Sequence, residues 1–200
     1  MLWLILTALI VFIVSFLLNF YKDPKRAIPK GNNIVAPADG KIISIIDTSK
    51  GDLTIGKGVI GKIKTTSKEI AKECYAISIF MSPIDAHINR APIKGTIKFV
   101  KHTKGKFFKA YDFEKSFENE KNEIIIKNKI IKVKVIQIAG FLARRILCYA
   151  KANQKVNKGS KIGMIALGSQ TTLIIPKKIK LIINVNDKVK AGETTIAELR

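Results

Sequence analysis

The first twenty residues (MLWLILTALIVFIVSFLLNF) carry no charged side chain, which limits where the chain can sit before anything limits what it does. An apolar run of this length makes a helix about long enough to cross the ~30 Å hydrocarbon layer of a bilayer. Residues 1–20 are therefore expected to form a membrane-anchor helix. A cleaved signal would begin with basic residues and end in small ones; here Lys22, Lys25 and Arg26 come after the apolar run. By the positive-inside tendency these charges hold the following chain at the cytoplasmic side of the cell membrane. A helix lying in one leaflet would leave the chain at the same surface, so spanning and lying both stay open.

The remaining residues hold all of the charge, 36 Lys+Arg against 15 Asp+Glu, a formal +21. Such an excess suits a polyanionic neighbour, either nucleic acid or an anionic membrane surface. Only Arg26, Arg90, Arg144, Arg145 and Arg200 are arginines, and the lysines are dispersed rather than gathered with aromatics. That distribution favours lipid head groups over nucleic acid. Part of the excess is compositional, since Ile and Lys are abundant together. Cys74 and Cys148 lack C-x-x-C spacing and His87 and His102 are the sole histidines, so no metal site is suggested. Isolated thiols of this kind suit a reducing cytosol.

Asp23-Pro24 and Pro29-Lys30-Gly31 break the helical pattern and make 21–33 a juxtamembrane connector. From Ile34 to Arg200 one mainly β domain is expected, a β-sandwich or partly closed barrel with short helices. Ile131, Val133 and Val135 alternate with Lys132 and Lys134, the period of a half-buried strand. Other β-rich runs are 35–46, 74–80, 124–126, 146–150, 162–167, 173–175 and 179–185. Val156-Asn157-Lys158-Gly159 and Val189-Lys190-Ala191-Gly192 repeat one turn, of the sort found in biotinyl and lipoyl carrier domains. Ser82 and Pro83 suit the start of a short helix over 82–87.

Three contexts stand out as candidates for chemistry: Ala36-Pro37-Ala38-Asp39-Gly40-Lys41, Met81-Ser82-Pro83-Ile84-Asp85-Ala86-His87-Ile88-Asn89-Arg90, and Gly163-Met164-Ile165-Ala166-Leu167-Gly168-Ser169-Gln170. Together they resemble the phosphatidylserine decarboxylase family, in particular its short form, which includes the archaetidylserine decarboxylases. Tyr21 to Arg26 is similar to the family's aromatic, basic, Asp-Pro segment. His102 to Asn122 and Gln137 to Ile146 are similar to its Gly-Lys-Phe and Ala-Arg-Arg-Ile stretches, so the likeness runs along nearly the whole chain in unchanged order.

This resemblance implies a proenzyme that cuts itself between Gly168 and Ser169. Ser169 would attack the Gly168 carbonyl, the resulting ester would eliminate, and Ser169 would become a pyruvoyl group, the cofactor made from the chain itself. Residues 1–168 and 169–200 would remain together as a heterodimer of cleaved chains. A serine hydroxyl needs a base, and the motif assigns His87 to that role with Asp39 to orient it and stabilise its protonated form. The pyruvoyl ketone would form a Schiff base with a serine-headed phospholipid and accept the electron pair released with carbon dioxide. The lipid tails, archaetidyl or phosphatidyl, are not specified by these motifs.

Longer family members carry a second histidine three positions after the first; Arg90 stands there in this chain, and His102 is the one other candidate to replace it. Gln170 departs from the basic or hydroxyl residue often found after the serine. Arg90, and less so Arg144 and Arg145, have the forked geometry that suits a substrate phosphate or carboxylate. The competing reading is a non-enzymatic, membrane-tethered β-domain of the carrier or interaction type. It draws on the Val-x-x-Gly turns but leaves the Asp39, His87 and Ser169 contexts without a purpose.

Overall fold

The structure, a computed structural model, describes residues 1–48, 52–56, 62–104, 120–139, 145–165 and 169–199, with 52–56 and 62–66 as backbone strands. It opens with one helix, α1 (Leu2–Phe20). Asp23-Pro24 stops it, because proline has no N–H to give and disfavours helical backbone in the residue before it. Residues 1–15 are exposed on every side, and Phe20 is the one buried residue of α1. With mean hydropathy 2.6 and none of its apolar window buried among the described residues, α1 is long and apolar enough to cross a membrane.

The rest is β structure. In chain order the strands are β1 (Asn33–Val35), β2 (Gly40–Asp47), β3 (Asp52–Gly56), β4 (Lys62–Thr66), β5 (Cys74–Met81), β6 (Ile88–Arg90), β7 (Gly95–Thr103) and β8 (Lys121–Lys127). They continue with β9 (Lys132–Ile138), β10 (Ile146–Cys148), β11 (Lys155–Val156), β12 (Lys161–Ile165), β13 (Ser169–Pro176), β14 (Lys180–Leu181), β15 (Lys188–Val189) and β16 (Thr195–Glu198). Eight form a curled antiparallel sheet in the order β11-β7-β8-β9-β13-β5-β2-β15. Small sheets β1-β16-β14 and β10-β12-β6 stand apart from it, as does the β3-β4 hairpin. The mainly β expectation holds.

Alternation along the strands feeds two apolar layers. Val133, Val135, Leu173, Ile175, Ile77 and Ile79 face the main core, while Ile136, Ile138, Ile174, Ala76 and Cys74 face a smaller one under residues 70–71. That second layer corrects the half-buried reading of β9. Lys134 is buried on it, with its ammonium 2.9 Å from Glu123 and 3.6 Å from Glu69.

The Val-x-x-Gly repeat belongs to a larger duplication that the sequence reading missed. Ala36-Pro37-x-x-Gly40 and Ala91-Pro92-x-x-Gly95 make the same contacts twice. Gly192 N–H donates to the Ala36 carbonyl and Gly159 N–H to the Ala91 carbonyl, both at 2.8 Å. Val35 N–H donates to Pro92 and Arg90 N–H to Pro37, crossing between the copies. Val189 pairs with Gly40 as Val156 pairs with Gly95. Asn153 and Asn186 share positive φ, as do Gly159 and Gly192 at +81° and +79°, the left-handed region glycine enters without steric cost.

The first copy also explains why the run 35–46 is not one strand. Pro37 interrupts the ladder, and Gly40, at φ +142°, lies where a Cβ would fall 2.0 Å from the Phe80 carbonyl oxygen. The register Lys41–Phe80, Met81–Ser169, Gln170–Ile138 and Ile138–Lys121 then brings one end of β2, β5, β13, β9 and β8 to a common edge of the main sheet. Asp39 and the segment 82–87 leave from that edge.

Candidate active site

Ser169 is the first residue of β13, the strand paired along its length with β5 on one side and over Gln170–Ile174 with β9 on the other. It is fully buried, and among the described residues its Oγ has one hydrogen-bond partner, the Met81 Sδ at 3.4 Å. A thioether is a weak acceptor, so the hydroxyl is held in place without being engaged by a strong partner. Gly168 lies outside the described residues.

The segment 82–87 makes a single turn rather than the expected short helix. Asp85 N–H donates to the Ser82 carbonyl at 3.0 Å, but the Asp85 carboxylate folds back to accept from both the N–H and the Oγ–H of Ser82, each at 2.7 Å. This closes the turn on itself and sends Ala86 and His87 onward into β6. The Asp85 carbonyl then faces His87 Nδ1 at 2.8 Å. A carbonyl only accepts, so the proton sits on Nδ1 and the Nε2 lone pair is the basic one. Nε2 is buried with no hydrogen-bond partner among the described residues.

Burial pushes the His87 pKa below its ordinary value. The Asp85 carbonyl bond and the carboxylates of Asp85 and Asp39 oppose that shift, and the Lys22 ammonium adds to it. The imidazole is thereby kept neutral. The His87 backbone carbonyl accepts from Ile165 N–H at 3.2 Å, and Ile165 ends β12, four residues before Ser169 in the chain. His87 is thus bracketed by Ile165, just before the serine, and by the turn that follows Met81, the serine's strand partner. Among the described residues no hydrogen bond directly joins the side chains of Ser169, His87 and Asp39.

Asp39 has other partners. Arg26 Nη2 donates to its two oxygens at 2.9 and 2.7 Å, and Ala191 N–H donates to Oδ1 at 2.7 Å. Glu193 stands 3.8 Å from the same guanidinium and accepts from Ala27 N–H. Asp39 therefore reaches His87 through space as a charge, while the orienting hydrogen bond comes from Asp85. Arg26 was legible only as part of the aromatic, basic, Asp-Pro segment, with no role attached.

A second feature lay outside the sequence reading. Asn122 Nδ2 donates to Gln137 Oε1 at 2.7 Å, Gln137 Nε2 to Asn89 Oδ1 at 2.7 Å, and Asn89 Nδ2 to Thr171 Oγ1 at 3.1 Å. These buried amides end two residues from Ser169. Connected chains of this kind fix a single register among the strands they join.

With this geometry in view, the whole chain can be set beside known proteins. A family model described as phosphatidylserine decarboxylase matches residues 13–197. The chain belongs to the phosphatidylserine decarboxylase family. A relative from Methanocaldococcus jannaschii, named as an archaetidylserine decarboxylase proenzyme, is 43% identical over 94% of this chain and 92% of its own length. A phosphatidylserine decarboxylase proenzyme of Chlorobium phaeobacteroides is 40% identical over 92% of this chain and 79% of its own. Membership makes the chain a decarboxylase proenzyme in kind.

Within this phosphatidylserine decarboxylase family member, the remaining candidates fall away from the serine. Arg90 donates through Nη1 to the Gly159 carbonyl at 2.9 Å and through Nη2 to Asp23 at 2.5 Å, so its fork is filled by the protein. His102 lies on β7, with β8 and β9 between it and β13, and pairs with Glu120 at 2.8 Å. Arg145 is exposed and Arg144 lies outside the described residues. Gln170 is buried, with Nε2 3.3 Å from Thr172 Oγ1.

Proposed function

We propose that this protein is a self-cleaving, pyruvoyl-dependent decarboxylase of a serine-headed membrane phospholipid. The observation that carries the reading is a buried Ser169 hydroxyl at the start of a central strand, bonded among the described residues only to the weak acceptor Met81 Sδ, in the same protein as a buried His87 whose Nε2 has no hydrogen-bond partner among the described residues. His87 accepts the Ser169 proton as Oγ attacks the Gly168 carbonyl, and the peptide bond shifts to an ester. Loss of the Ser169 α-proton then expels the Gly168 carboxylate and leaves dehydroalanine. One water enters and one ammonia departs, giving a pyruvoyl group at residue 169. General-base assistance of this sort accounts for about 10²–10⁴-fold in rate.

The site suits that group. Its keto oxygen would replace a buried hydroxyl whose one side-chain partner among the described residues is the weak acceptor Met81 Sδ. The pyruvoyl carbonyl supplies the electron sink for the pair left when carbon dioxide departs from the substrate's amine-bearing carbon. Residues 1–168 and 169–200 stay together because β13 is locked between β5 and β9, and β15 and β16 pair with β2 and β1. Arg90 fastens the connector through Asp23, and Asp39 contributes its charge near His87.

The relatives are named for archaetidylserine and phosphatidylserine, which share the head group on which this chemistry acts. α1 and the basic residues after it hold the domain at the cytoplasmic face of the membrane, where either lipid presents that head group. Gel electrophoresis of the expressed protein is expected to show fragments 1–168 and 169–200, with Ser169→Ala giving only the intact chain. An uncut wild-type chain in membranes would overturn the reading. Assaying both lipids then assigns the tails.

A further inference from the structure

The membrane helix ends on the catalytic turn. Phe20, its last residue, is buried although residues 1–15 are exposed. What covers it is the imidazole of His87, with ring centroids 4.2 Å apart at 36°. Two more contacts fasten the same place: Asn19 Nδ2 and Lys22 Nζ donate to the Ile84 carbonyl at 3.5 and 3.2 Å, and Lys22 Nζ also donates to Asn19 Oδ1 at 2.8 Å. Tyr21 packs edge-on against Phe20 at 5.2 Å, and Phe16 lies 6.0 Å away, the aromatic side of one helical turn. The anchor thus meets the turn that carries His87 through its final residues, and the foot of the helix is the roof of the histidine.

We propose that Phe20 is a positioning residue of the active site: its ring closes over the His87 imidazole and keeps water from it, so that the foot of the first helix completes the surroundings of the base. This rests on the reading of His87 as the base for self-cleavage. The charged groups facing His87 come from each element around it, Asp85 from its own turn, Asp39 from the segment before β2, and Lys22 from just beyond the helix. The two carboxylates favour the imidazolium and the ammonium opposes it. The apolar cover, which desolvates the ring, is what tips the balance toward the neutral base.

The test uses the full-length chain, synthesised in the presence of anionic liposomes, shifted to a series of pH values and followed by the rate of appearance of fragment 169–200. Wild type, Phe20→Ala, Phe20→Leu and His87→Ala are compared. For wild type the rate rises with an inflection below the ordinary histidine value of about 6.5. Phe20→Ala moves that inflection upward, so cleavage slows several-fold near about pH 6 while the rates converge by about pH 8. Phe20→Leu keeps apolar volume and shifts the inflection less. Where Phe20→Ala fails to accumulate in membranes, the leucine variant carries the same comparison.

Superimposed profiles, or slowing by the same factor at every pH, would overturn the proposal, since a purely structural residue has no reason to move the inflection. His87→Ala separates the two levels. If it stays uncut while the Phe20 variants keep the wild-type inflection, only the role of Phe20 fails. Normal cleavage of His87→Ala would remove the base reading itself.

Discussion

Ala36–Gly40 and Ala91–Gly95 are two copies of one turn, each leading into a strand of the main sheet and each bonded to a Val-x-x-Gly turn in the same way. Their fourth residues differ. Lys94 is exposed to solvent, whereas the Asp39 side chain is 14% exposed and held by Arg26, itself 6% exposed. The duplicated backbone is therefore a shared scaffold. The copies diverge where one carries a carboxylate and the segment after α1 supplies an arginine to meet it. Closing that pair also pins residues 21–27 across the domain and brings Phe20 and Lys22 to the His87 turn.

The comparison breaks most sharply at Asp39. Asp39→Ala leaves the Arg26 guanidinium buried, with Glu193 3.8 Å away as its remaining carboxylate. Removing one partner of a buried pair costs on the order of 3–5 kcal/mol. Thermal unfolding of the uncut Ser169→Ala background is expected to register that loss, and an unchanged melting temperature would show that the pair is not holding the segment. Gly40→Ala comes next. Its Cβ would press on the Phe80 carbonyl, and overpacking of this kind costs about 2–3 kcal/mol. Lys94→Ala, at the position equivalent to Asp39, is expected to change stability by no more than about 0.5 kcal/mol, as an exposed substitution does. A large effect there would mean that the two copies share a burden the structure assigns to one.

Much of the scaffold was legible because its signals are local. Period-two apolar residues marked most strands, and Val-x-x-Gly marked the paired turns. The apolar start marked a helix whose first fifteen residues are exposed. Lys134 was misread because alternation reports two faces but not whether the second is covered, and that cover comes from residues 70–71 with Glu69 and Glu123 as partners. The helix expected at 82–87 goes no further than one turn: Asp85 caps the Ser82 N–H as it would at a helix start, but Ala86 and His87 run on toward β6 instead of continuing the coil.

Ser169, His87 and Asp39 were each conspicuous in context, yet their partners were not. Arg26 meets Asp39, Phe20 meets His87 and Met81 meets Ser169 across separations that only the sheet register decides. Arg90 shows the converse. Its fork suggested a lipid phosphate, but Asp23, met only once the connector folds back, takes it first. Pairings of this kind depend on which strand ends share an edge, and no linear pattern encodes that.

The account turns on the fate of residue 169. Intact mass measurement of the protein extracted from membranes in active form is predicted to find two chains, 1–168 and 169–200, the second lighter by one ammonia than a chain beginning with serine. A continuous 1–200 polypeptide in active material, or a second chain beginning with a free Ser169 amine, would contradict it.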